Sequence, residues 1–66
     1  MQLKSSRIKS AEYNDSTEVL TVEFVKGGKY KYYAVPESVY KGLINSPSPG
    51  NYFDTAIKGK FNFKKA

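Results

Sequence analysis

The sequence predicts an α+β fold: a three-stranded antiparallel meander, with an optional short fourth strand at the C-terminal end, packed on one face by two short helices. Three observations predict it. Apolar and polar residues alternate through "EVLTVEFV", residues 18–25, which is the period of a half-buried strand. A Gly27-Gly28 pair separates this run from the tyrosine-rich "KYKYY", as a hairpin turn would. After Pro36, apolar residues recur at Val39, Tyr40, Leu43 and Ile44, which is helical spacing.

The first strand is expected over residues 5–13, "SSRIKSAEY". Ile8 falls on one parity and Ala11 and Tyr13 on the other. A bulge reconciles them, because one extra residue flips the facing of everything after it. "NDST", Asn14 to Thr17, is turn chemistry, since Asn and Asp bond their own backbone.

In the second strand Leu20, Val22 and Phe24 share one face, and Thr21 and Glu23 point the other way. The loop after it decides where the tyrosines go. A two-residue Gly27-Gly28 loop sets Lys26 against Lys29 and leaves Tyr30 and Tyr32 outside, beside Glu23. A three-residue Lys26-Gly27-Gly28 loop, with Gly28 left-handed, sets Phe24 against Tyr30, Val22 against Tyr32 and Glu23 against Lys31. The second alternative is preferred. It gathers Leu20, Val22, Phe24, Tyr30 and Tyr32 on one face, and burying a large apolar side chain contributes about 1.5–3 kcal/mol. Tyr33 then points outward.

Pro36 is expected at the first helical position, where its missing N–H costs nothing. Glu37 suits the positive end of the helix dipole. "NSPSPG" stops this helix, and Ser48 before Pro49 reads as the N-cap of a second, shorter one. Tyr52, Phe53 and Ile57 give that helix an apolar side, and Gly59 ends it. "KFNF", residues 60–63, is the optional closing strand, with Phe61 and Phe63 on one face. The predicted core is Leu20, Val22, Phe24, Tyr30, Tyr32, Val39, Tyr40, Leu43, Tyr52, Phe53 and Ile57.

Sixty-six residues make one domain, 1–66, with an ordered core over about 5–63 and a basic tail over 58–66. A chain this short buries only ~60% of the surface its unfolded form exposes. No cysteine is present, so neither a disulfide nor a thiolate metal site supports the fold. No histidine is present, which removes the commonest general base and metal ligand. No long apolar run exists, so neither a membrane span nor a membrane partner is expected, and the cytoplasm is the expected location. Eleven Lys/Arg against six Asp/Glu give a net charge of +5. That balance serves solubility and also attracts polyanions.

The ordered set "VEF", a glycine turn, "YKYYAVP", "VYKGLINS", "SPGNYFDTAIKG" and "FNF" closely resembles the KTSC domain family. This short domain is named after the C-terminal part of some lysyl-tRNA synthetases and also occurs as a stand-alone bacterial or phage protein. The resemblance covers about residues 5–63, and its central mark is the Y-x-Y pair Tyr30 and Tyr32. It implies a domain with no established activity and a suspected association with RNA. The sequence departs from the family pattern at Lys58, where arginine is usual, at Phe61 and Phe63, where tyrosines are common, and at Pro49, a position often basic. Lysine lacks the bidentate phosphate fork of arginine.

Catalysis is not expected. Serines lack a histidine to activate them, and a Ser–Lys pair built on Ser5 or Ser6 is not singled out by spacing. Glu12, Asp15, Glu18 and Glu23 read as solvated strand and turn charges rather than a hard-cation site. "KGGK" lacks the strand–loop–helix context and the Ser/Thr of a phosphate loop. No cofactor and no metal are expected. The candidate nucleic-acid-binding strip is Arg7 or Lys9, Lys29, Lys31 and Tyr33, with Lys58 and Lys60 adjacent, since lysines interleaved with an aromatic attract phosphates and stack a base. As a binding strip it would take RNA or another polyanion; the same residues also read, with slight preference, as an ordinary solvated sheet face on which lysine protects edge strands from aggregation. The alternative is a protein-interaction or self-association module using the open sheet face or the Tyr52-Phe53 surface.

Overall fold

The computed structural model describes residues 7–66. Four strands form one antiparallel sheet in the order β1 (Ile8–Asn14), β2 (Val19–Phe24), β3 (Gly28–Tyr32) and β4 (Phe63–Lys65). Helices α1 (Glu37–Asn45) and α2 (Pro49–Tyr52), with a π-helical segment Phe53–Ile57, form a second layer between β3 and β4 in the chain. Two layers around one core are what so short a chain requires. The start of the expected first strand, and with it Ser5 and Ser6, lies outside the described residues.

The bulge expected in β1 is present. Ile8 faces Phe24, but Ser10 faces Glu23, so the register slips between them. Beyond the slip Ala11 faces Val22 and Tyr13 faces Leu20, and both Ile8 and Ala11 are buried. The turn into β2 is held as its chemistry suggests, the Ser16 N–H donating to Asn14 Oδ1 at 3.0 Å.

The β2–β3 pairing keeps the expected facing but not the expected partners. The loop is Val25-Lys26-Gly27, and Val22 faces Tyr30, Leu20 faces Tyr32 and Glu23 faces Lys29. The reason lies in the backbone of Val25, whose N–H donates to Arg7 O at 2.9 Å. An N–H used on the β1 side is not left to close the hairpin with β3. The ladder therefore closes one residue earlier on β2. Gly28 is left-handed, at φ 79°, but it opposes Phe24 as the first residue of β3. Because the slip is two residues in register, Tyr30 and Tyr32 stay on the inner face.

Two further boundaries differ from expectation, and one expected cap is bonded differently. Pro36 is the N-cap of α1 rather than its first residue; its extended ψ of 149° leaves its carbonyl to accept from the Val39 N–H at 3.0 Å. Ser48 is the N-cap of α2, but its side chain makes no capping bond; its N–H instead donates to Ser46 Oγ at 3.1 Å. The closing strand is Phe63–Lys65, not residues 60–63. The basic stretch is thus partly ordered, with the Ala66 N–H reaching Lys29 O at 2.8 Å.

The core lies between the layers. Ile8, Ala11, Leu20, Val22, Tyr32, Val35, Leu43, Phe53 and Ile57 are buried, and Phe24, Tyr30, Val39, Tyr40 and Tyr52 pack against them partly exposed. Val35 is an addition to the predicted core. Left-handed Ala34, at φ 57°, turns the chain off the sheet so that Val35 enters the interior, and the Val35 N–H donates to Glu18 O at 2.9 Å. Tyr13 stacks on Tyr40 with centroids 5.2 Å apart, and its hydroxyl donates to Val35 O at 2.6 Å. Burial pushes the Tyr13 and Tyr32 phenols above their usual range.

Candidate nucleic-acid interface

The outer face of the sheet is not covered by the helical layer. Alternation along each strand places Ser10, Glu12 and Asn14 of β1, Val19, Thr21 and Glu23 of β2, Lys29 and Lys31 of β3, and Lys64 of β4 on it. The pairing aligns them in rows. One row runs Glu12–Thr21–Lys31–Lys64 across all four strands, and a second runs Ser10–Glu23–Lys29. The face is therefore polarised, with carboxylates on the β1–β2 half and lysines on the β3–β4 half.

Lys31 and Lys64 sit directly opposite each other on adjacent strands, whose backbones run about 4.7–4.9 Å apart. Like charges in that position repel. Among the described residues, neither lysine, nor Lys29, joins an ion pair. Tyr33 follows at the end of β3, held by its N–H to Asn62 O at 2.9 Å, and is half-buried. It separates two shallow depressions. One is shared with Glu12, Thr21 and Lys31, the other with Ala34, Lys60 and Phe61.

The predicted strip is thus divided. Lys29, Lys31, Tyr33 and Lys60 come together. Lys9 is exposed within the β1 bulge. Arg7 and Lys58 lie elsewhere, on the helix side of the sheet, where both line one cavity with Phe24, Tyr30, Tyr32, Phe53, Asp54 and Phe63. Arg7 faces that side because Asp54 holds it: Nη1 donates to Oδ2 at 2.7 Å and Nη2 to Oδ1 at 2.9 Å, while Nη1 also reaches Gly50 O at 3.4 Å. These bonds hold the Asp54 carboxyl below the usual aspartate range and raise the guanidinium. Lys64 joins the strip although sequence reasoning does not single it out. Its facing depends on where β4 begins, and the run "KFNFKK" allows more than one start. The Tyr52-Phe53 pair is not an open surface, since Phe53 is in the core and Tyr52 is half-buried against Gly42.

The KTSC domain family model matches residues 4–61. The chain belongs to the KTSC domain family. A KTSC domain protein from Yersinia pestis, known from its crystal structure, superimposes with a TM-score of 0.98 at 36% identity, covering 100% of this chain and 93% of that one. The lysine–tRNA ligase of Nostoc punctiforme is 45% identical over 62 residues, which is 94% of this chain but 11% of that enzyme. An uncharacterised protein of Stutzerimonas stutzeri is 38% identical over 85% of this chain and 79% of its own length. The KTSC domain therefore occurs both as a small part of lysine–tRNA ligases and as most of a short protein. Among the described residues no helix is long and apolar enough to cross a membrane, and no cluster of three or more Asp or Glu is placed to hold a metal ion.

Proposed function

We propose that this KTSC domain binds single-stranded RNA through the β3–β4 half of its outer sheet face. The observation that carries this reading is the lysine group Lys29, Lys31 and Lys64, with Lys31 and Lys64 directly opposed and none of the three in an ion pair with a described carboxylate. Such an arrangement costs the free protein some repulsion and is relieved by a phosphate between the ammonium groups. Tyr33, between Lys31 and Lys60, offers an aromatic ring on which a base can stack. The occurrence of related sequences within enzymes named lysine–tRNA ligases is consistent with work close to RNA.

The test is a titration of a short single-stranded RNA at two salt concentrations, followed by backbone amide shifts. Micromolar binding at low salt is expected, with shifts centred on Lys31, Tyr33 and Lys64. Lys31→Ala and Lys64→Ala should each weaken binding and lower the salt slope by about 0.7, the share of one neutralised phosphate on a single strand. Absence of binding in the low-salt sample refutes the reading, as does a shift map confined to β1 and the helices. Concentration-dependent sedimentation without RNA binding would instead favour self-association.

A further inference from the structure

The helix side of the sheet carries a second feature, separate from the lysine rows. Five aromatic rings line a cavity of 510 Å³, and their contacts form a closed circuit. Phe53 meets Phe24 at 5.2 Å between centroids, Phe24 meets Tyr30 at 5.7 Å, and Tyr30 meets Phe63 at 5.8 Å. Phe63 meets Tyr32 at 5.4 Å, and Tyr32 returns to Phe53 at 5.4 Å. Four of the five contacts are edge-to-face. Phe63, the ring contributed by β4, is 54% exposed although it sits in this circuit. The π-helical segment places Phe53 and Ile57 inward and Asp54 at the rim.

Charge at the rim selects among occupants. Asp54 is bound bidentately by Arg7. Lys58, the other cation lining the cavity, joins no ion pair among the described residues. A cationic guest, which an aromatic cage would otherwise attract, meets Lys58 and Arg7 at the entrance. A flat ring carrying one anionic group meets aromatic walls inside and an ammonium outside. The volume lies within the ordinary range for small-molecule sites, about 300–1,000 Å³.

We propose that this groove binds a nucleobase carrying a single phosphate, with the ring against Phe24, Tyr30 and Phe63 and the phosphate at Lys58. Two sources share that chemistry, a free nucleoside monophosphate and a phosphorylated RNA end. The site lies on the opposite side of the sheet from Lys31 and Lys64, so it stands or falls independently of the RNA surface proposed above.

The experiment follows aromatic side-chain resonances during titration of the whole protein with AMP, UMP, adenosine, inorganic phosphate and octanoate, and with a short RNA bearing a terminal phosphate. AMP or UMP should shift Phe24, Tyr30 and Phe63. Adenosine should bind about fivefold or more weakly, and Phe63→Ala and Lys58→Ala should each weaken AMP by a similar factor. Circular dichroism checks that both variants fold, and Lys58→Ala, a change to an exposed side chain, keeps the test decisive if Phe63→Ala fails to fold. Aromatic shifts with the RNA but not with AMP or UMP assign the groove to an RNA end. The proposal is overturned by any of three results: no aromatic shift with millimolar nucleotide or with the RNA, the same shifts from inorganic phosphate or octanoate, or unchanged affinity in a folded Lys58→Ala variant.

Discussion

Gly42 shows how one atom sets the fit between the two short helices. A Cβ at this position would run into the Tyr52 phenol, with Cε2 2.9 Å away. In an isolated helix Gly→Ala is favourable by about 1 kcal/mol. Overpacking of a close contact costs about 1–3 kcal/mol. The second effect should win, so Gly42→Ala is expected to lower the thermal midpoint, and the same change in a Tyr52→Leu background should be neutral or stabilising. A higher midpoint for the single variant would show that the notch is not tight. The glycine is visible in "VYKGLINS", but its reason is not, because nothing local to α1 announces that a ring from α2 will arrive there. Val35 is hidden in a similar way: its burial follows from the left-handed turn at Ala34, a conformation that alanine seldom signals.

At the scale of elements, the alternation of β2 and the glycine turn reveal both the hairpin and the inward facing of Tyr30 and Tyr32. The individual partners stay hidden, because the Val25 N–H is claimed by Arg7, just ahead of β1, and not by the hairpin itself. The Arg7–Asp54 pair is equally hidden. It joins the start of β1 to the π-helical segment, a contact between residues far apart in sequence. Its sign is open to test. The folded-state pKa of Asp54 lies below its unfolded value, so the stabilisation is fully present above the unfolded aspartate range and is lost as pH falls through the folded-state value. Asp54→Asn should therefore be less stable than the native protein at neutral pH and show a flatter acid limb, the two curves converging at low pH. Denaturant titrations at a series of pH values measure this; parallel curves would mean that the pair contributes nothing.

For the whole molecule, the layer arrangement can be read from patterning alone, while the division of positive charge between two sides of the sheet cannot. Arg7 and Lys58 look like members of one basic strip until tertiary contacts turn Arg7 toward Asp54. The sheet also has an uneven history written into its connections. β1, β2 and β3 are joined by short turns, whereas all of residues 33–62, both helices included, lie between β3 and β4. Hairpins close locally and quickly, and a distant pairing must wait for the intervening chain to fold back. β4 should be the last strand to dock and the first to detach, so the amide of Ala66, bonded to Lys29 O, should exchange with deuterium well before the amides shared by β1 and β2. Since Phe63 rides on that strand, the aromatic basket is assembled late and opens early, which makes its rim a latch on an otherwise settled fold.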